Sequence, residues 1–151
     1  HKHYVNKFNG TNWSGWGPVP GGGTTLLPDA ATVFSNRLYL FGIGIADHKH
    51  YVNTFDGANW SGWSQVPGGG TTILADAAVA LGQHLSLFGI GINDHKHYRN
   101  RFDGTTWSGW SEVPGSGTTQ LPDAATAFRN SIYLVGIGIN DRQHYLNVLP
   151  E

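Results

Sequence analysis

The sequence predicts an all-β fold built from four-stranded antiparallel units, and three observations carry that expectation. His-Lys-His-Tyr opens the chain at His1 and returns at His48 and His95, and a reduced copy, Arg142-Gln143-His144-Tyr145, follows at the same 47-residue spacing. Between these returns, short apolar runs alternate with turn dipeptides. No segment carries a helical period.

The repeat is close and needs no gap. Residues 1–47 and 48–94 match at 32 of 47 positions, and residues 48–94 and 95–141 match at 31. The chain therefore reads as a single repeat domain, 1–151, made of units 1–47, 48–94 and 95–141 with a partial fourth, 142–151. Trp-Ser-Gly-Trp recurs unchanged at 13–16, 60–63 and 107–110, and Gly-Ile-Gly-Ile-x-Asp at 42–47, 89–94 and 136–141. A fixed period of this size marks solenoids and propellers. A recent triplication and a designed sequence both produce such a pattern.

Within one unit the elements follow in order. Strand A, 29–34, is a short apolar run, and Ser35-Asn36 turns it. Strand B, 37–45, is apolar and aromatic, with Gly42 and Gly44 where a backbone approaches closely. Strand C, 48–55, alternates through Tyr51, Asn53 and Phe55. Asp56-Gly57 is a hairpin dipeptide leading into strand D, 60–66, which Pro67-Gly68 closes.

A four-stranded meander with a period of about 40–50 residues is the unit of a β-propeller. Such rings take about four to eight blades, whereas this chain holds three copies of A, B and D and four of C. The expectation is a ring completed by oligomerisation, with two chains giving six blades and two-fold symmetry. The N-terminal strand D, 13–19, is available to complete the last blade of another chain. One C strand per chain is then surplus, either residues 1–8 or residues 142–149.

Composition narrows the partners. The net charge of −1 argues against nucleic acid, whose phosphates need a basic stripe. No run of about 18 apolar residues is present, so no membrane insertion is expected. No charged-then-apolar leader is visible, and a start without Met fits a processed chain or a fragment. The absence of Cys excludes disulfides and thiolate chemistry and leaves the compartment open.

The candidate site residues recur with the repeat. All six Trp lie in the Trp-Ser-Gly-Trp motif. Three apart on a strand, its two Trp are expected on opposite sides of a blade. Both then form inter-blade core, or one packs the core while the other lines a cleft. An indole face with its N–H edge suits the C–H face of a sugar ring. On that reading Trp16, Trp63 and Trp110 are platforms, supported by Thr25, Thr72 and Thr119.

His48 and His50 are expected on one side of strand C. His50, His97 and His144 are candidates for ligand contact, for a rim hydrogen bond or for a metal. A metal would need further ligands, which the sequence does not supply, so no metal or cofactor is expected. Asp47, Asp94 and Asp141 lie in the B–C loop, near the Thr-Thr of the D–A loop. Asp29, Asp76 and Asp123 open strand A, where a turn or strand-start role is expected.

Catalysis finds little support. There is no nucleophile elbow, no Cys and no phosphate loop with its Lys. An acid–base pair would have to come from the repeated Asp, and repetition of every element fits a binding protein better than an enzyme.

The segment Trp-Ser-Gly-Trp-Ser-x-Val-Pro-Gly-Gly-Gly, with the preceding Tyr-Val-Asn-x-Phe-Asp-Gly, resembles the repeat of bacterial propeller lectins, in particular the Photorhabdus luminescens lectin family. The resemblance spans all three repeats. It implies a β-propeller that binds fucose and related, often O-methylated, sugars between adjacent blades. Members of that family are seven-bladed single chains, whereas this chain carries just over three repeats, and its His-Lys-His segment departs from the commoner pattern. The expected function is a multivalent glycan-binding lectin that self-associates as a homodimer. The alternative is a symmetric scaffold, structural or designed, without a ligand of its own.

Overall fold

The computed structural model describes residues 1–25, 27, 30–115 and 117–151. They form an all-β chain of antiparallel sheets, with no helix among the described residues. Among the described residues no helix is long and apolar enough to cross a membrane.

The N-terminal ribbon pairs β1 (Tyr4–Val5) with β2 (Gly17–Pro18). The first complete sheet runs β3 (Ala30–Phe34), β4 (Arg37–Ile43), β5 (His50–Phe55) and β6 (Ser64–Gln65) in chain order. The second repeats it with β7 (Ala77–Leu81), β8 (His84–Ile90), β9 (His97–Phe102) and β10 (Trp107–Glu112). The terminal sheet has three strands, β11 (Ala124–Phe128), β12 (Ser131–Ile137) and β13 (His144–Pro150). This is the expected meander, in an arrangement consistent with propeller-like blades.

Strand A begins at Ala30, and Asp29 lies outside the described residues. The other bounds are shorter than expected, for local reasons. Strand B stops at Ile43 because the chain turns at once: His48 N–H donates to Gly44 O at 2.9 Å, and His48 takes a φ of 57°. Strand C consequently starts at His50, and His48 belongs to the turn. His48 is exposed and His50 is buried, so the pair does not share one strand face.

Strand D is irregular because Gly62 and Gly109 adopt φ of 83° and 81°. In the second sheet Trp107 stands opposite Phe102 and Trp110 opposite Asn100. Three steps on one strand thus match two on its partner, which is a β-bulge. The extra residue returns both Trp to the same face and overturns the expectation that they point to opposite sides. The Ser108 hydroxyl braces the bulge by accepting the Arg101 N–H at 3.0 Å, as Ser61 does for Thr54 at 3.0 Å.

Sheets pack face against face, with the first strands β3, β7 and β11 side by side. One core lies between the two complete sheets and includes Phe34, Phe41, Val52, Leu85 and Leu87. A second lies between the second complete sheet and the terminal one, with Val79, Phe88, Ile132 and Leu134. Phe41 and Phe88 occupy the same place in successive repeats and are fully buried, each contributing about 2–3 kcal/mol by removal from water.

Candidate functional site: a pocket repeated between neighbouring sheets

Each junction between sheets is latched in the same way. Asn53 and Asn100 are fully buried, and their side-chain amides donate across the junction to Pro20 O and Pro67 O at 2.8 Å. Asn147 makes the equivalent bond to Pro114 O at 2.7 Å. Strand C is tied to the following segment by repeated backbone bonds. Val19, Val66 and Val113 donate to His3, His50 and His97 at 2.9, 2.8 and 2.8 Å.

Above each latch opens a cavity, and its lining recurs every 47 residues. The cavity between the ribbon and the first sheet, about 330 Å³, is lined by His3, Gly23, Thr24, Asp47, Tyr51 and Trp63 among others. The next, about 260 Å³, has His50, Gly70, Thr71, Asp94, Tyr98 and Trp110 in the same roles. The third, about 500 Å³, has His97, Gly117, Thr118, Asp141 and Tyr145, with no Trp.

The imidazole forms one wall. Gly42 and Gly89 on strand B make room for it, since a Cβ on Gly89 would meet His50 Cε1 at 2.7 Å and one on Gly42 would meet His3 Cε1 at 2.7 Å. His50 Nδ1 lies 2.8 Å from Asp76 Oδ2, and His97 Nδ1 lies 2.5 Å from Asp123 Oδ2. A carboxylate in its ionised form only accepts, and Nδ1 is the ring atom that faces it in His50 and His97. Burial raises the Asp76 and Asp123 carboxyls above their ordinary range, and the facing imidazole opposes the rise.

The indole continues the same wall. Trp63 packs on His3 and Trp110 on His50, each pair with ring centroids 4.3 Å apart. The rings also lie against glycine backbone, since a Cβ on Gly70 would meet Trp110 Nε1 at 2.6 Å. Trp63 Nε1 and Trp110 Nε1 are buried without a protein acceptor. These indoles are therefore held walls, gripped on the protein side. Trp107, the first Trp of its motif, packs 4.9 Å from Phe102 and 6.2 Å from Phe41.

The rim carries the acid. Asp47 Oδ1 accepts from Lys49 N at 3.2 Å and Oδ2 from the Tyr51 hydroxyl at 2.9 Å. Asp94 repeats this with Lys96 and Tyr98, and Asp141 with Gln143 and Tyr145. These bonds hold the three carboxyls below their usual value of 3.8, with the Lys49 N–H as the main cause at Asp47 and the Tyr hydroxyl at Asp94 and Asp141.

The expected site residues are thus partly gathered. Trp63, Trp110, His50, His97, Asp47, Asp94 and Asp141 line the cavities. Trp16 lines none of the three and is 73% exposed, and His144 is exposed on β13. Thr25, Thr72 and Thr119 are buried beneath, their hydroxyls accepting from Leu27, Leu74 and Leu121 N–H at 3.1, 3.0 and 3.0 Å. It is the preceding Thr24, Thr71 and Thr118 that face the cavities. The sequence reading brings Asp47 near Thr24 and Thr25 without deciding which Thr faces the cavity, and it misses the Tyr of the rim and the Asn latch. The Tyr-x-Asn at 51–53, 98–100 and 145–147 was a usable signal, because a buried Asn needs a partner. Among the described residues no cluster of three His, Asp or Glu is arranged to hold a metal ion.

No family model matches this chain, and no curated protein sequence matches it either.

Proposed function

We propose that the chain is a multivalent carbohydrate-binding protein, a lectin rather than an enzyme, with its sites in the pockets between neighbouring sheets. One observation carries this reading: a lining of imidazole, Thr and a Tyr-supported carboxylate is built three times at 47-residue intervals, with an indole beside it in two of the three cavities. An aromatic wall beside fixed acceptors and hydroxyls matches a sugar, which presents C–H faces and a ring of hydroxyl groups. The choice of fucose and O-methylated sugars rests on the resemblance of the Trp-Ser-Gly-Trp repeat to the Photorhabdus luminescens lectin family. Individually weak sites on one body gain avidity through effective concentration.

In the same reading the sheets are blades of a β-propeller, and two chains form a six-bladed homodimeric ring. A titration with L-fucose and its methyl ethers tests the binding reading. Saturable binding supports it, and silence at millimolar sugar refutes it.

A second reading is favoured by the packing of Trp63 and Trp110 against His3, His50 and glycine backbone. There the indoles are inter-blade core and the chain is a scaffold without a ligand. Trp63→Ala together with Trp110→Ala separates the two. Loss of sugar binding in a folded, assembled protein supports the lectin, and collapse of the assembly supports the scaffold.

A further inference from the structure

Three cavities share one design, but only two contain an indole. Trp63 and Trp110 stand 47 residues apart, and the next position in that series falls beyond residue 151. The third cavity nevertheless keeps the rest of the lining, and it is the most spacious at about 500 Å³. Its glycine cradle is open. A Cβ on Gly70 would strike Trp110 at 2.6 Å, whereas one on the equivalent Gly117 would find only His97 Nε2 at 3.6 Å.

At the other end of the chain the converse holds. Trp16 has the sequence context of Trp63 and Trp110 but is 73% exposed, and its companion Trp13 is 66% exposed. The bare faces extend around both sites. Phe34 is 6% exposed where a neighbouring sheet covers it, whereas its repeat equivalent Phe128 is 57% exposed. Val52 and its equivalent Leu146 differ likewise, at 8% and 58%. Identical positions are thus covered inside the array and bare at its two ends, and each bare end is the surface that the other end's internal counterpart packs against.

We infer that Trp16 of a second copy seats in the glycine cradle of Gly115 and Gly117 and completes the third pocket. The segment 13–19 of that copy then lies along β13, the open edge of the terminal sheet, as β10 lies along β9. In its own chain the segment is held by a sheet of only two residue pairs, Tyr4 with Pro18 and Val5 with Gly17. β13 by contrast pairs with β12 at seven positions and already carries the Asn147 latch to Pro114 O. The terminal sheet is therefore the established template, and segment 13–19 is the part that exchanges. The third pocket is then completed by a residue of the second copy. This inference rests on the self-assembly proposed above, and its test does not depend on the ligand.

The test is Gly117→Val beside Trp16→Ala, read by solution mass and circular dichroism. Within one chain, space at Gly117 is ordinary and its backbone is not left-handed, so Gly117→Val keeps the fold. The valine occupies the seat of the incoming indole and weakens self-association by about tenfold or more. Trp16→Ala weakens it too, because the indole is the group that is seated. The unsubstituted chain is expected at twice the 16.4 kDa chain mass, and both variants at the single-chain mass at the same concentration. A folded Gly117→Val that assembles like the unsubstituted chain overturns the inference, and so does an unsubstituted chain that stays at 16.4 kDa. Where L-fucose binds, its stoichiometry falls from three to two per chain in Gly117→Val. Where no sugar binds, the mass result still decides the assembly.

Discussion

Trp110 lies across His50 with ring centroids 4.3 Å apart, and the imidazole is fixed from behind by Asp76 at 2.8 Å. Indole, imidazole and carboxylate form one stack across a sheet junction. Trp110→Ala removes the wall that holds the imidazole and opens the core beside Phe41 and Leu87. Trp110 is half-buried, so the expected loss is near the lower end of the ~3–5 kcal/mol typical of buried Trp. Urea unfolding midpoints of Trp110→Ala and the unsubstituted chain measure it.

Gly89→Ala tests the other side of the same imidazole. The new methyl meets His50 Cε1 at 2.7 Å, and Asp76 keeps the ring from swinging freely. Overpacking of this kind costs about 1–3 kcal/mol. Gly136→Ala in the third pocket is expected to cost less, since its nearest neighbours stand at 3.0 and 3.1 Å and no indole closes that side. Thermal or urea unfolding of the two variants gives the order.

The Asn latch supplies a graded series. Asn100→Ala removes a fully buried amide and its part-buried bond to Pro67 O, and a loss of about 0.5–1.5 kcal/mol follows. Asn53→Ala has the same environment and the same expected cost. Asn147→Ala removes an equivalent bond that solvent reaches, so water replaces it at a smaller cost. Equal losses at Asn100 and Asn147 would contradict the latch as a desolvated contact.

Acid acts on the rim. The folded carboxyls of Asp47, Asp94 and Asp141 are depressed below 3.8. A depressed carboxyl contributes stability that is present above its unfolded value and lost as pH falls through the folded one. The B–C loops are therefore unchanged from neutrality down to pH 3.8 and loosen only below it. An NMR titration following the Lys49, Lys96 and Gln143 amides should show midpoints under that value. Midpoints above it would mean that the Tyr and backbone donors do not hold these carboxylates.

Much of this was legible in the sequence because it follows from local chemistry. The 47-residue return, the turn dipeptides and the alternation at His50–Phe55 define the meander without reference to anything distant. What was not legible depends on backbone geometry. The position of Trp110 relative to Trp107 turns on a left-handed Gly109, which inserts one residue and reverses a face assignment based on spacing. His48 takes a φ of 57°, which excludes it from the strand that alternation predicts. In Thr71-Thr72 one residue faces the cavity and the other is buried, and nothing in two adjacent identical residues says which. The exchange of Asn100 with Pro67 O joins residues 33 apart, a relation that only packed sheets reveal.

The central claim is that the repeated pockets bind sugar. Calorimetric titration of the intact chain with L-fucose and methyl fucosides, repeated with the Trp63→Ala, Trp110→Ala double variant, tests it most directly. Saturable binding to the unsubstituted chain is expected, with its loss from a double variant that remains folded and assembled. Absence of binding at millimolar sugar, or undiminished binding without either indole, would contradict it.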